Sequence, residues 1–185
     1  MKYSPFKIFK NMCELTAGFG ALNCDSAGGV DKWYLGSLRD SSTGAANYTY
    51  TRTAGSITAM ANVGSKLFYE VIVDAEMSEF SVDAIGSREN ASTGFDIKGT
   101  IKLAGNTATN IEQFETLVKD RVCIIAKLND GTYEVLGLDK GVKFTFSRTS
   151  GTKFEDMNGV SLSFTGREKK NAPKISEAIV TTLLS

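Results

Sequence analysis

The stretch GFDIKGTIKL, Gly94 to Leu103, decides the reading of this chain, because Phe95, Ile97, Ile101 and Leu103 alternate there with Asp96, Lys98, Thr100 and Lys102. A period of two belongs to an extended strand, whose successive side chains leave on opposite faces, so one face is apolar and the other is wet. The same alternation recurs further along, in Val142, Phe144 and Phe146 against Lys143, Thr145 and Ser147, and in Val160, Leu162 and Phe164 against Ser161, Ser163 and Thr165. Upstream, Phe80, Val82 and Ala84 alternate with Glu79, Ser81 and Asp83, and Trp33 to Leu38, Ile57 to Ala61 and Lys66 to Val73 are further strand candidates. An apolar run from Val122 to Leu128 meets Thr132 to Leu136 across Asn129-Asp130-Gly131. That junction reads as a β-hairpin, since glycine supplies the positive φ of the turn at little cost.

One segment carries the helical period instead: Ile111, Phe114, Leu117 and Val118 share a face, giving a helix from Ile111 to Lys119 with Thr109 and Glu112 as a capping box. Its apolar stripe is expected to cover a sheet. The chain therefore reads as one mainly β domain over residues 1–185, a β-sandwich or barrel of about eight or nine strands flanked by one α-helix. Asp40 to Ser65 stands apart as a long loop or hairpin, rich in Ser, Thr, Gly, Ala and Asn and poor in core anchors. Pro173 is expected to stop the strand that ends near Gly166, ahead of a final segment from Ile175 to Leu184.

A chain of 185 residues, 42% hydrophobic and 23% charged, is long enough to bury one core without metal or disulfide staples. Lys and Arg balance Asp and Glu at 21 each, so no net field draws it to nucleic acid or an anionic membrane. No apolar run approaches the roughly 20 residues that cross a bilayer, so no membrane insertion is expected. Met1 to Lys10 makes a poor signal peptide. Cys13, Cys24 and Cys123 are therefore expected as reduced thiols, with Cys123 in the core, and the sequons at Asn47 and Asn90 carry no weight.

Histidine is absent, which removes the commonest general base at neutral pH, the Ser-His and Cys-His nucleophile pairs and most catalytic zinc sites. What stays open is a pair of carboxylates across a cleft. Glu70, Asp74, Glu76, Glu79 and Asp83 sit on or between strands, where a solvated face is the ordinary role. Gly18-Phe19-Gly20 and Gly28-Gly29 lack the strand, helix and lysine of a phosphate cradle. Asp156-Met157-Asn158-Gly159 lacks the later acidic ligand of a calcium loop, and Arg167-Glu168-Lys169-Lys170 reads as a solvated strand end. The expectation is a protein that is not an enzyme, with no cofactor, no metal and no catalytic residue.

The second half has the order helix, hairpin with GTYEVLG (Gly131 to Gly137), then GTKFEDMNGV (Gly151 to Val160) and LSFTGRE (Leu162 to Glu168). With the early Asn23-Cys24-Asp25, Gly28-Gly29-Val30 and the strand from Trp33, this layout resembles bacteriophage tail tube (major tail) proteins, particularly those of phages and prophages of Bacteroides-like hosts. The resemblance implies a virion structural protein of the tail, assembled in the host cytoplasm. Its sheets would join side by side into a ring, hexameric in that family, and rings would stack into a tube that conducts phage DNA as non-specific cargo. Other tail proteins would be its further partners. Asp40 to Ser65 would then be the loop reaching the next ring, with Tyr48, Tyr50, Arg52, Ile57 and Met60 as interface residues. Deleting Thr43 to Val63 should on this view abolish stacking and leave the protomer folded. Glu79, Ser81, Asp83, Lys98, Thr100 and Lys102 would face the lumen. Two alternatives remain: another head-to-tail or tail-tip component, and a monomeric glycan- or peptide-binding sandwich with Trp33, Tyr48 and Tyr50 as its platform.

Overall fold

The computed structural model describes residues 28–73, 77–87, 92–104, 108–150 and 158–185. In chain order the elements are β1 (Val30–Ser37), β2 (Tyr48–Thr53), β3 (Ser56–Asn62), β4 (Tyr69–Val71), β5 (Ser78–Ser87), β6 (Ser92–Ala104), α1 (Ala108–Lys119), β7 (Val122–Leu128), β8 (Tyr133–Leu136), β9 (Lys143–Thr149), β10 (Gly159–Glu168), β11 (Lys174–Ile175) and α2 (Glu177–Leu183). They form a seven-stranded sheet in the order β2-β3-β11-β8-β7-β1-β4 and a four-stranded sheet in the order β5-β6-β10-β9. Among the described residues the architecture is a β-sandwich and not a closed barrel, because the first and last strands of each sheet do not pair with each other.

The alternating segments build the four-stranded sheet, antiparallel throughout, and their apolar rows meet the larger sheet. Ile97, Ile101, Phe144, Val160, Leu162 and Phe164 pack there with Trp33, Ile124 and Leu136. Trp33 is fully buried, and its ring meets Phe80 and Phe164 edge-on at centroid distances of 5.9 and 5.6 Å. Edge-on contacts place the positive rim of one ring on the negative face of another. Gly99, which interrupts the apolar row of β6, lies directly opposite Phe164. A Cβ there would stand 2.3 Å from the Phe164 ring and 2.6 Å from the Glu79 carbonyl oxygen, so the missing side chain makes room for Phe164.

β7 is apolar on both sides because it runs through the middle of the molecule. Val122, Ile124 and Ala126 face the four-stranded sheet, while Cys123 and Ile125 face a second core with Tyr34, Phe68, Val135, Val180 and Leu183. The expected hairpin joins β7 to β8: Gly131 takes φ +81°, and Asp130 Oδ1 accepts a hydrogen bond from the Thr132 N–H at 2.8 Å. Cys123 is buried as expected.

The structure corrects several boundaries. Eleven strands are present among the described residues, two or three more than expected, and a second helix, α2, occupies the final segment and covers the second core. α1 starts at Ala108, so Thr109 lies within its first turn and not at the cap. Its Phe114 ring meets Phe146 of β9 at 6.0 Å, so the helix covers the sheet as its stripe requires. Of Lys66 to Val73 only Tyr69–Val71 is strand. β10 continues to Glu168, and Pro173 comes just before β11, where its carbonyl oxygen accepts the Val135 N–H at 2.9 Å.

Asp40 to Ser65 forms a hairpin, β2–β3, and it is better anchored than its composition suggests. Tyr48, Ile57 and Met60 are buried in the second core. β11 pairs with β3 in parallel through Lys174 and Ile175, and Asn62 Nδ2 donates to the Leu183 carbonyl at 2.9 Å. The lead-in is equally ordered: Asp40 Oδ1 accepts from the Ser42 and Thr43 N–H groups at 2.9 and 3.0 Å, and Lys66 pairs with Asp40 at 2.9 Å. These donors hold the Asp40 carboxyl well below the usual carboxylate range, the Ser42 hydroxyl contributing most.

Candidate functional surfaces

The six residues expected to face a lumen lie on one surface, the outer face of the four-stranded sheet. Register sets them in rows across the strands. Glu79 stands beside Thr100, Ser163 and Thr145 in one row, and Ser81 beside Lys98, Thr165 and Lys143 in the next. Asp83, Asp96 and Arg167 form a third row, and Lys102 with Ser161 and Ser147 a fourth. Arg167 Nε donates to Asp96 Oδ1 at 2.6 Å, which holds the Asp96 carboxyl below its ordinary value. Lys98 reaches the same carboxylate at 4.0 Å. Glu79, Asp83 and Asp96 thus offset most of Lys98, Lys102, Lys143 and Arg167, with hydroxyls filling the spaces between. A shallow groove runs across this face between Glu79, Ser81, Lys98, Thr100, Ser163 and Thr165.

Residues assigned to the hairpin surface divide differently. Tyr48, Ile57 and Met60 belong to the protomer's own core, so they are not free to anchor a neighbour. The Tyr48 hydroxyl donates to the Leu138 carbonyl at 2.9 Å, and burial drives its pKa far above the ordinary tyrosine range. Tyr50 is 38% exposed, with its hydroxyl bonded to Asp139; partial burial and that carboxylate push it up to about 12. Arg52 donates from Nε to the Ala54 carbonyl at 3.1 Å and lines a small cleft with Asp139, Glu168, Lys170 and Asn171. Trp33 and Tyr48, two of the three rings of the alternative binding platform, lie inside the molecule.

Sequence reasoning missed Glu168. It reads as part of a solvated charge run, yet it is the one buried charged residue among those described. Its Oε1 accepts the N–H groups of Asp139 and Lys140 at 3.1 and 2.8 Å, fixing the turn between β8 and β9 on which Tyr48 and Tyr50 also rest. Burial raises its pKa, opposed by those two amides. The signal was present in the alternation itself, which carried past Gly166 places Glu168 on the inner side.

The remaining carboxylates do not converge into one site. Glu70 pairs with Lys32 at 2.8 Å, and Glu79 and Asp83 stand on the outer sheet face. Asp74, Glu76, Asp156, Met157, Cys13, Cys24, Asn90 and the glycines at 18 and 20 lie outside the described residues. Among the described residues no cluster of three or more His, Cys, Asp or Glu is placed to hold a metal, and no helix is long and apolar enough to cross a membrane. Comparison of the chain with protein-family models, with curated proteins and with solved structures finds no match in any of the three.

Proposed function

We propose that this chain is a structural subunit of a phage tail tube, whose four-stranded sheet faces the lumen of a ring built from copies of itself. The observation that supports this reading best is the outer face of that sheet. It is broad, hydroxyl-rich and close to neutral, and it carries all six residues expected there. A strongly basic lining would hold a polyanion by releasing its counterions, whereas a balanced one lets it pass. The buried platform rings argue against a glycan- or peptide-binding sandwich, and no second reading gains a specific observation.

Size measurement and electron microscopy of the purified chain test the proposal. Rings or tubes about 100 Å wide, several domain diameters around a channel, are expected. Single rings that never stack would favour a head-to-tail or tail-tip component. A monodisperse monomer at high concentration would overturn the reading.

A further inference from the structure

β11 is the last strand in sequence order, yet it lies inside the seven-stranded sheet, between β3 and β8. It runs parallel to β3, with Lys174 beside Ser56 and Ile175 beside Ile57, and antiparallel to β8, with Lys174 opposite Glu134 and Ile175 opposite Tyr133. Among the described residues β2 pairs only with β3, and β3 only with β2 and β11. The hairpin therefore joins the sheet through two residues that come long after it in sequence. Its tip is held in the same way: the Lys174 N–H donates to the Gly55 carbonyl at 2.9 Å, next to Ala54, which takes φ +52°. That left-handed conformation is costly for alanine and persists where the surroundings over-determine it.

α2 continues what β11 begins. Asn62 Nδ2 and the Phe68 N–H both donate to the Leu183 carbonyl, at 2.9 and 3.2 Å, so the end of α2 holds the chain at the point where it leaves β3. Ile175, Val180 and Leu183 share the second core with Tyr48, Ile57 and Met60. Neither part of this segment is stable by itself. A two-residue strand has almost no ladder, and a seven-residue helix is well below the length at which isolated helices persist in water; its N-cap residue, Ser176, makes no side-chain capping bond.

We propose that β11 and α2 form a strap that seats the β2–β3 hairpin, and that strap and hairpin open as one unit while the four-stranded sheet and β1, β7 and β8 stay folded. Opening uncovers Tyr48, Ile57, Met60 and Cys123 together. The Tyr48 and Tyr50 hydroxyls then leave Leu138 and Asp139, and the hinge is the base of the hairpin, where the Asn47 N–H donates to the Leu38 carbonyl at 3.1 Å. Chain order gives the device a direction in time. Until residues 174–183 are made the hairpin has no seat, so β2 and β3, early in sequence, are the last strands to enter the large sheet, and seating the strap withdraws their apolar side into the protomer. The strap is independent of the ring reading above.

Hydrogen exchange of the whole chain tests the coupling. Amides of the hairpin, residues 48–62, and of the strap, residues 174–184, should share one opening equilibrium and exchange about tenfold or more faster than those of β6 and β10. A disulfide can pin the strap shut. The Val135 N–H donates to the Pro173 carbonyl, which makes the next pair, Glu134 and Lys174, the non-hydrogen-bonded kind whose Cα atoms come closest. In chains carrying Cys13→Ser and Cys24→Ser, the oxidised Glu134→Cys, Lys174→Cys pair should slow strap and hairpin by the same factor, and reduction should undo it. Ile175→Ala should speed both in parallel. A hairpin whose exchange ignores the disulfide and Ile175→Ala would overturn the strap. So would a hairpin and strap that exchange no faster than β6 and β10, because they would then open only with the whole fold.

Discussion

At the scale of single residues, two positions carry more of the structure than their chemistry announces. Gly99 yields its place to the Phe164 ring, so Gly99→Ala should cost about 1–3 kcal/mol by forcing that ring or the β5 backbone to move. Denaturant midpoints measure it; a neutral substitution would mean that the ring does not sit over Gly99. Glu168 is a buried acceptor whose folded pKa lies above its unfolded value near 4.5. Its contribution to stability is therefore full below about pH 4.5 and is lost as pH rises through the folded value, where the buried charge forms. Glu168→Gln, which keeps an acceptor oxygen for the amides of Asp139 and Lys140, should flatten the fall in stability across that window. Glu134 is shifted in the same direction by burial and should retain its share of the slope. An unchanged slope in the variant would place the titration elsewhere.

At the scale of elements, what the sequence discloses depends on how many residues repeat the pattern. β5, β6, β9 and β10 each alternate over six or more positions, so strand, inner face and outer face are all legible in the sequence. β2, Tyr-Thr-Tyr-Thr-Arg-Thr, offers a single buried residue, and β11 is two residues long; neither has room for a period. α2 spans two turns and buries Val180 and Leu183, which is too short a stripe to separate helix from strand. Register was illegible for another reason: only pairing across strands shows that Lys98 stands beside Ser81, and that Tyr48 turns inward while Tyr50 does not.

Two deletions follow from the packing of these elements. Removing Thr43 to Val63, expected from sequence to spare the fold, takes Tyr48, Ile57 and Met60 out of the second core, so thermal unfolding should show a protomer strongly destabilised or unfolded. A variant with wild-type stability would mean that the hairpin is dispensable to the fold. Truncation after Ser176 removes Val180 and Leu183, about 3–6 kcal/mol of apolar burial. Native Cys123, fully buried and pushed up to about 12, should resist a thiol reagent. The truncated chain should react at once; slow reaction would show Cys123 covered by something other than α2.

At the scale of the whole molecule, the two sheets divide the work. The larger one packs one face of its central strands on the other sheet and the opposite face on a second core that α2 helps to close, and its edges are short or irregular. The smaller one keeps one face wet and balanced in charge, and its edges are long and regular. On the proposed reading, copies of the chain would meet around a channel and this polar sheet face would line it. An image reconstruction of assembled particles tests this most directly, by showing which face turns inward. The account predicts closed rings about 100 Å across, with the row of Ser81, Lys98, Thr165 and Lys143 lining the channel. Particles whose channel is lined by α2 or the β2–β3 hairpin, or a chain that stays monomeric at every concentration, would contradict it.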